Sequence, residues 1–253
     1  MIAEYEKESQ VLNYIRGLPQ YLKGIPVYPV KMKDALAFYD SVVILNLDKN
    51  KTDDVEILKM SYLKYLLLLC AHEEFLGKFT TLLKLIFRTE DISIEQNEKG
   101  KFFLVVDGCR RLSEFDFNNL KVVIAEQNMI GLDDENMNPE LKQALKEAEE
   151  FYSKRGNKPA PFSQRVLAYE YEMKKDLEEI MNMTIYHFNS SLEVVNHIKQ
   201  SDILQQARFA GMKQFKDEEK LPTWLSAIEK NKDNPLLLNA DKLTKDMKSM
   251  LGT

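Results

Sequence analysis

Glycine and proline are scarce, nine and eight residues in a chain of 253. Turns that need a left-handed or fixed φ are therefore few, which favours long helices and disfavours sandwich and propeller folds. Cysteine is nearly absent: only Cys70 and Cys109 occur, so no disulfide framework is implied. No charge of one sign dominates, because 35 basic and 40 acidic residues leave −5, with the signs interleaved along the chain. A broad basic face for nucleic acid is thereby disfavoured. Long apolar runs are missing too. The longest, residues 66–71, falls far short of the about 20 residues that a membrane-spanning helix needs. The opening MIAEYEKESQ is charged and carries no apolar signal core. These absences lead to the expectation of a cytoplasmic protein that binds neither nucleic acid nor membrane.

What is present suits a folded globular chain: 44% hydrophobic and 30% charged residues. Residues 1–24 read as a loosely attached amphipathic segment ending in LPQYLKG. Pro26 and Pro29 then flank a short extended piece at Val27 and Tyr28, since each proline biases the residue before it toward extended backbone. The spacing predicts a helix from about Lys31, with Leu36, Tyr39, Val43 and Leu47 on one stripe. Asp53 and Asp54 suit the start of the next helix, where carboxylates meet free backbone donors. One helix is expected through VEILKMSYLKYLLLLCAHE, buried where it is apolar nearly all round. Another covers about 74–87.

The pattern changes at ISIEQNEKGKFFLVVDG, which reads as a β-hairpin over about 92–106 turning at residues 97–100. Ile92, Ile94, Phe103 and Val105 alternate there with residues facing the other side. Ser113 and Asp116 offer caps for a helix around 117–126. A helix from Pro139 is ended by RGNKPAP at 155–161, where the main organisational boundary falls. Helices follow at 163–170, 174–181 and 185–200, with a further one from about Asp202. The fold class expected is mostly α (α+β), a helical protein with one small β-hairpin and a helical C-terminal half. Its parts are an N-terminal region 1–155, a C-terminal helical region 160–230 and a mobile tail 231–253.

Chemistry is thinly represented. His72-Glu73-Glu74 lacks the second histidine that a zinc-protease helix places four residues on, since position 76 is Leu76. Cys70 and His72, two apart on a helix, are expected to be a buried structural pair. Asp48, Asn50 and Thr52 mimic the start of a calcium loop, but Asp53 stands where glycine is needed and Lys59 where a bidentate glutamate is needed. Asp133-Asp134-Glu135-Asn136 reads as a solvated loop. His187 and His197 have no nucleophile beside them, and Gly108 and Gly211 are isolated, so no phosphate loop forms. No catalytic, cofactor-binding or metal residue is assigned, and no enzyme is expected.

The aromatic and methionine positions are more informative. Phe209, Met212 and Phe215 recur at helical offsets of three, and the only tryptophan, Trp224, follows Pro222. Core packing accounts for most such residues. A partly exposed recognition groove is the competing possibility, because methionine and aromatics adapt to varied partners and tryptophan is favoured at interface hot spots. Phe209, Met212, Phe215 and Trp224 are therefore the candidate protein-interaction residues.

Four phrases occur in a telling order: GIPVYPVKMKDALAFYDSVVILNLDKN, MSYLKYLLLLC, FFLVVDGCRRLSEFDFNNLKVVIAEQNMI and ILQQARFAGMKQFKDEEKLPTWL. This series resembles tail-assembly chaperones and tail-associated proteins of phages infecting Gram-positive bacteria. The resemblance runs from about residue 24 to 230 and rests on hydrophobic phrases rather than catalytic signatures. It implies a non-catalytic helper in the host cytoplasm that binds the phage tape-measure protein, and with it tail-tube protein, during virion assembly. It implies no cofactor and leaves room for a homo-oligomer. A structural component of the tail or neck is the alternative.

Overall fold

A computed structural model describes residues 2–49, 54–132 and 160–210. The expected helix from Pro139, the boundary segment up to residue 159 and the C-terminal tail lie outside these residues.

The first helix, α1 (Ile2–Arg16), stops at Gly17, whose φ of 75° lets the chain reverse. Its end is tied back by the Gly17 N–H donating to Tyr14 O and the Leu18 N–H donating to Asn13 O. A tight hairpin follows, β1 (Gln20–Leu22) with β2 (Ile25–Val27), pairing Leu22 with Ile25 and Gln20 with Val27. Lys23 and Gly24 both have positive φ, 50° and 76°, as a two-residue reversal with the strand's own twist demands. Tyr14, Ile25 and Val27 are buried, so the expected loose attachment of residues 1–24 is corrected at Tyr14. The tyrosine ring lies 5.4 Å from that of Tyr186 and anchors the segment to the C-terminal half.

A short 3₁₀ turn (Met32–Asp34) leads into α2 (Ala35–Val42) and a second 3₁₀ turn (Val43–Asn46). The buried stripe is Ala35, Phe38, Tyr39 and Val42, while Leu36 is 51% exposed. The predicted stripe therefore shared Tyr39 with the real one but was rotated away from Phe38. The single long helix predicted next is broken. Asp54 caps α3 (Val55–Lys59) by accepting the Glu56 N–H, as expected. Met60 is extended, and Ser61 caps a new helix, α4 (Tyr62–Leu69), by accepting the Lys64 N–H. The restart turns Tyr62, Leu63 and Leu66 inward and leaves Leu68 exposed, so the leucine run is not buried all round. Helix α5 (Glu73–Phe87) buries Phe79, Leu82, Leu83, Ile86 and Phe87. His72 stands at its exposed N-cap and Cys70 is half-buried, so they form no buried pair.

The expected hairpin is present as β3 (Ile92–Gln96) and β4 (Phe102–Val106), with a third strand, β5 (Arg110–Ser113), added to it. The antiparallel order is β3-β4-β5. Ile92 pairs with Val106 and Ile94 with Leu104, which in turn pairs with Leu112. Residues directly opposite share a face. The inward set in β4 is thus Leu104 and Val106, not Phe103 and Val105, although Val105 is buried on the other face.

Helix α6 (Glu114–Asn128) starts from a capping box in which Ser113 and Asp116 each bond the other's backbone N–H. Of the two predicted caps, Ser113 is the N-cap and Asp116 the reciprocal partner. The C-terminal half contains α7 (Phe162–Met173), α8 (Leu177–Asn182) and α9 (Ile185–Phe209). The two helices expected on either side of residue 201 are one continuous helix. Ser201 is buried within it, and no glycine or proline interrupts it.

One hydrophobic cluster joins the two halves, from Ile25 through Phe38, Leu83, Leu104 and Leu120 to Val166, Tyr169 and Phe188. The seam is made by backbone bonds. Met32 N–H donates to Met183 O, and Ile185 N–H donates to Val30 O.

Candidate protein-interaction surface

Helix α7 is apolar on two faces. Val166 and Tyr169 enter the core, where the Tyr169 ring meets Phe188 at 5.1 Å. Leu167 and Tyr171, one turn apart on the opposite side, face solvent, with Tyr171 86% exposed. Beside Tyr171, the Glu172 carboxylate pairs with Lys199 Nζ of α9 at 2.8 Å. One turn beyond Lys199 stands Ile203, exposed, and the helix ends on Phe209, 84% exposed. The outer side of α7 and the last turns of α9 therefore each present large exposed apolar side chains, and the Glu172–Lys199 pair links the two helices.

Of the four residues singled out from the sequence, Phe209 is exposed at the end of α9. Met212, Phe215 and Trp224 lie outside the described residues, so the four are not brought together. Leu167, Tyr171 and Ile203 were missed. The available signal was VLAYEYEM in α7, where too many apolar residues occur for one inward stripe, so that some must face outward.

A second feature is an open cleft of about 880 Å³ where α1, α5 and the α8–α9 junction meet. Arg16, Lys31 and Arg88 line it together with Asp176, Glu178 and Glu179. Arg88 sits 4.2 Å from the Tyr28 ring centroid and donates to Pro29 O at 3.4 Å, so its guanidinium is engaged in structure. Thr184 is the hydroxyl of this lining. It donates to Tyr14 O at 3.1 Å and accepts the His187 N–H at 3.0 Å, which commits it to capping α9 and holding α1. His187 is half-buried, and burial, with the Lys175 charge, holds its imidazole below the usual value.

Other polar groups serve the fold. Asp116 is buried, which pushes its carboxyl pKa up. Hydrogen bonds from Lys23 and Ser113, with the Lys23 charge, outweigh that effect and hold it below the usual carboxylate range. Buried Lys121 places its Nζ 3.2 Å from the Tyr62 ring centroid, joining α6 to α4. Among the described residues, no group of three His, Cys, Asp or Glu side chains is placed to hold a metal. No helix among them is long and apolar enough to cross a membrane.

The fold and surface together define a mostly helical protein with two small antiparallel sheets and an apolar outer face on its C-terminal helices. Residues 155–229 match the family model described as the YomV second domain, a Bacillus phage-derived family. The match covers less than a third of the chain and includes α7, α8 and α9. It points to a phage protein. No curated protein and no solved structure matches.

Proposed function

We propose that this chain is a phage tail assembly chaperone that binds the tape-measure protein, and with it tail-tube subunits, in the host cytoplasm without catalysing a reaction. The observation that carries the proposal is the set of exposed apolar side chains on α7 and α9, within the segment similar to a phage-derived family. A tape-measure protein is long and helical, and its apolar stripes need cover until the tube encloses them. Leu167, Tyr171, Ile203 and Phe209 supply such cover. Fully burying one side chain of this size is worth about 1.5–3 kcal/mol. Much of that is offset by the cost of ordering both partners, leaving each contact weak enough for tube subunits to displace. Many weak contacts along one client then hold it collectively.

The test is co-expression with the tape-measure protein of the same phage, followed by pull-down and comparison with purified virions. A recovered complex, with the chain missing from virions, is the expected result. In the same assay Leu167→Glu with Tyr171→Ala should lower recovery by about tenfold, the equivalent of roughly 1.4 kcal/mol. Absence of a complex, with the chain present in virions, would sink the proposal in favour of a structural tail or neck component.

A further inference from the structure

Among the described residues, the three-stranded sheet has an unguarded edge. Strand β3 pairs with β4 on one side, and its residues from Ser93 to Gln96 are exposed. Open edges recruit further strands, and proteins usually block them with lysine, proline or a bulge. Strand β3, ISIEQ, contains no lysine, proline or glycine. Its one charge, Glu95, is exposed and is paired across β4 with Arg111, 2.7 Å away, so it bars an approaching strand only where a second carboxylate comes opposite it. The other edge, β5, carries adjacent exposed arginines, Arg110 and Arg111, which oppose self-pairing.

The sequence of β3 is complementary to itself in one register. We propose that β3 pairs antiparallel with β3 of a second copy about a twofold axis through Ile94. Ile94 then meets Ile94, Ser93 meets Glu95, and Ile92 meets Gln96. The serine hydroxyl faces a carboxylate acceptor in both copies. A two-residue slip one way sets Glu95 against Glu95, and the other way sets it against Asp91; like charges directly opposite are destabilising. Ile94, 37% exposed, lies on the face of Leu104 and Leu112, both fully buried. Pairing at Ile94 therefore extends the existing core across the axis. A pair of five-residue strands covers less area than a standard interface, so the dimer is weak and concentration-dependent.

Sedimentation of the full chain from about 1 μM to about 1 mM spans the range such an interface requires. Two lysine variants separate the proposed register from a general edge effect, with circular dichroism confirming that each is folded. Ile94→Lys sets lysine against lysine and should leave monomer at every concentration. Ser93→Lys sets lysine against Glu95 and should keep or strengthen the dimer. A wild-type chain that is monomeric throughout overturns the proposal. So does a dimer indifferent to Ile94→Lys, or one abolished equally by Ser93→Lys.

Discussion

Asp116 is a single carboxylate holding three things at once. It accepts from the Ser113 N–H and hydroxyl at 2.8 and 2.6 Å and from Lys23 Nζ at 2.7 Å, tying the β1–β2 hairpin to the start of α6. Asp116→Ala leaves those donors without their acceptor and is expected to cost about 1–3 kcal/mol, read from urea unfolding at neutral pH. Because the folded carboxyl sits below its ordinary value of 3.8, its contribution is complete above that pH. It is lost as pH falls through the folded value, so the gap between wild type and Asp116→Ala should close in acid. His187 acts at a higher pH. Its folded pKa lies below 6.5, so the unfolded chain binds the extra proton first. Stability should therefore fall as pH drops from about 6.5, and His187→Gln should flatten that slope. An unchanged slope would refute the assignment.

At the scale of elements, end signals were more legible than interiors. Asp54 and Ser113 cap helices as their side-chain chemistry requires, and the polar run at residues 97–100 turns the β3–β4 hairpin. Ser61 is the instructive failure. Its capping chemistry was present inside an apolar pattern, and the restart there turns Tyr62, Leu63 and Leu66 inward, with the Tyr62 hydroxyl donating to Ile44 O at 2.7 Å. Strand β5 was missed because RRLS has one inward residue, Leu112, and becomes a strand through its pairing with β4. Thr184 shows the same dependence on distant partners: its hydroxyl caps α9 and binds a carbonyl of α1. Thr184→Val is expected to destabilise the protein by about 1–2 kcal/mol, as a lower urea midpoint at unchanged slope. A change in slope instead would mean that α1 had come loose by itself.

The whole molecule is held by a core to which both halves contribute. Phe188 of the family-matched segment and Phe38 of the N-terminal half are each buried in the same cluster. Phe188→Ala and Phe38→Ala should each cost about 3–5 kcal/mol. Both should shift one transition, seen at the same midpoint by far-ultraviolet circular dichroism and tyrosine fluorescence. Separate midpoints for the two probes would show that the halves fold independently. The surface on α7 and α9 belongs to this scale as well, since Leu167 and Tyr171 face outward only because Val166 and Tyr169 are claimed by the shared core.

By itself, the sequence determined the helical class, the position of the hairpin and the caps that begin α3 and α6, because these depend on composition and on neighbours a few residues apart. Tertiary structure alone decided which apolar residues are left over. Leu36 and Phe38, or Leu167 and Val166, are equally greasy to a local pattern. Their fates diverge because burial is settled by partners up to a hundred or more positions away, and the side chains without such partners are left exposed.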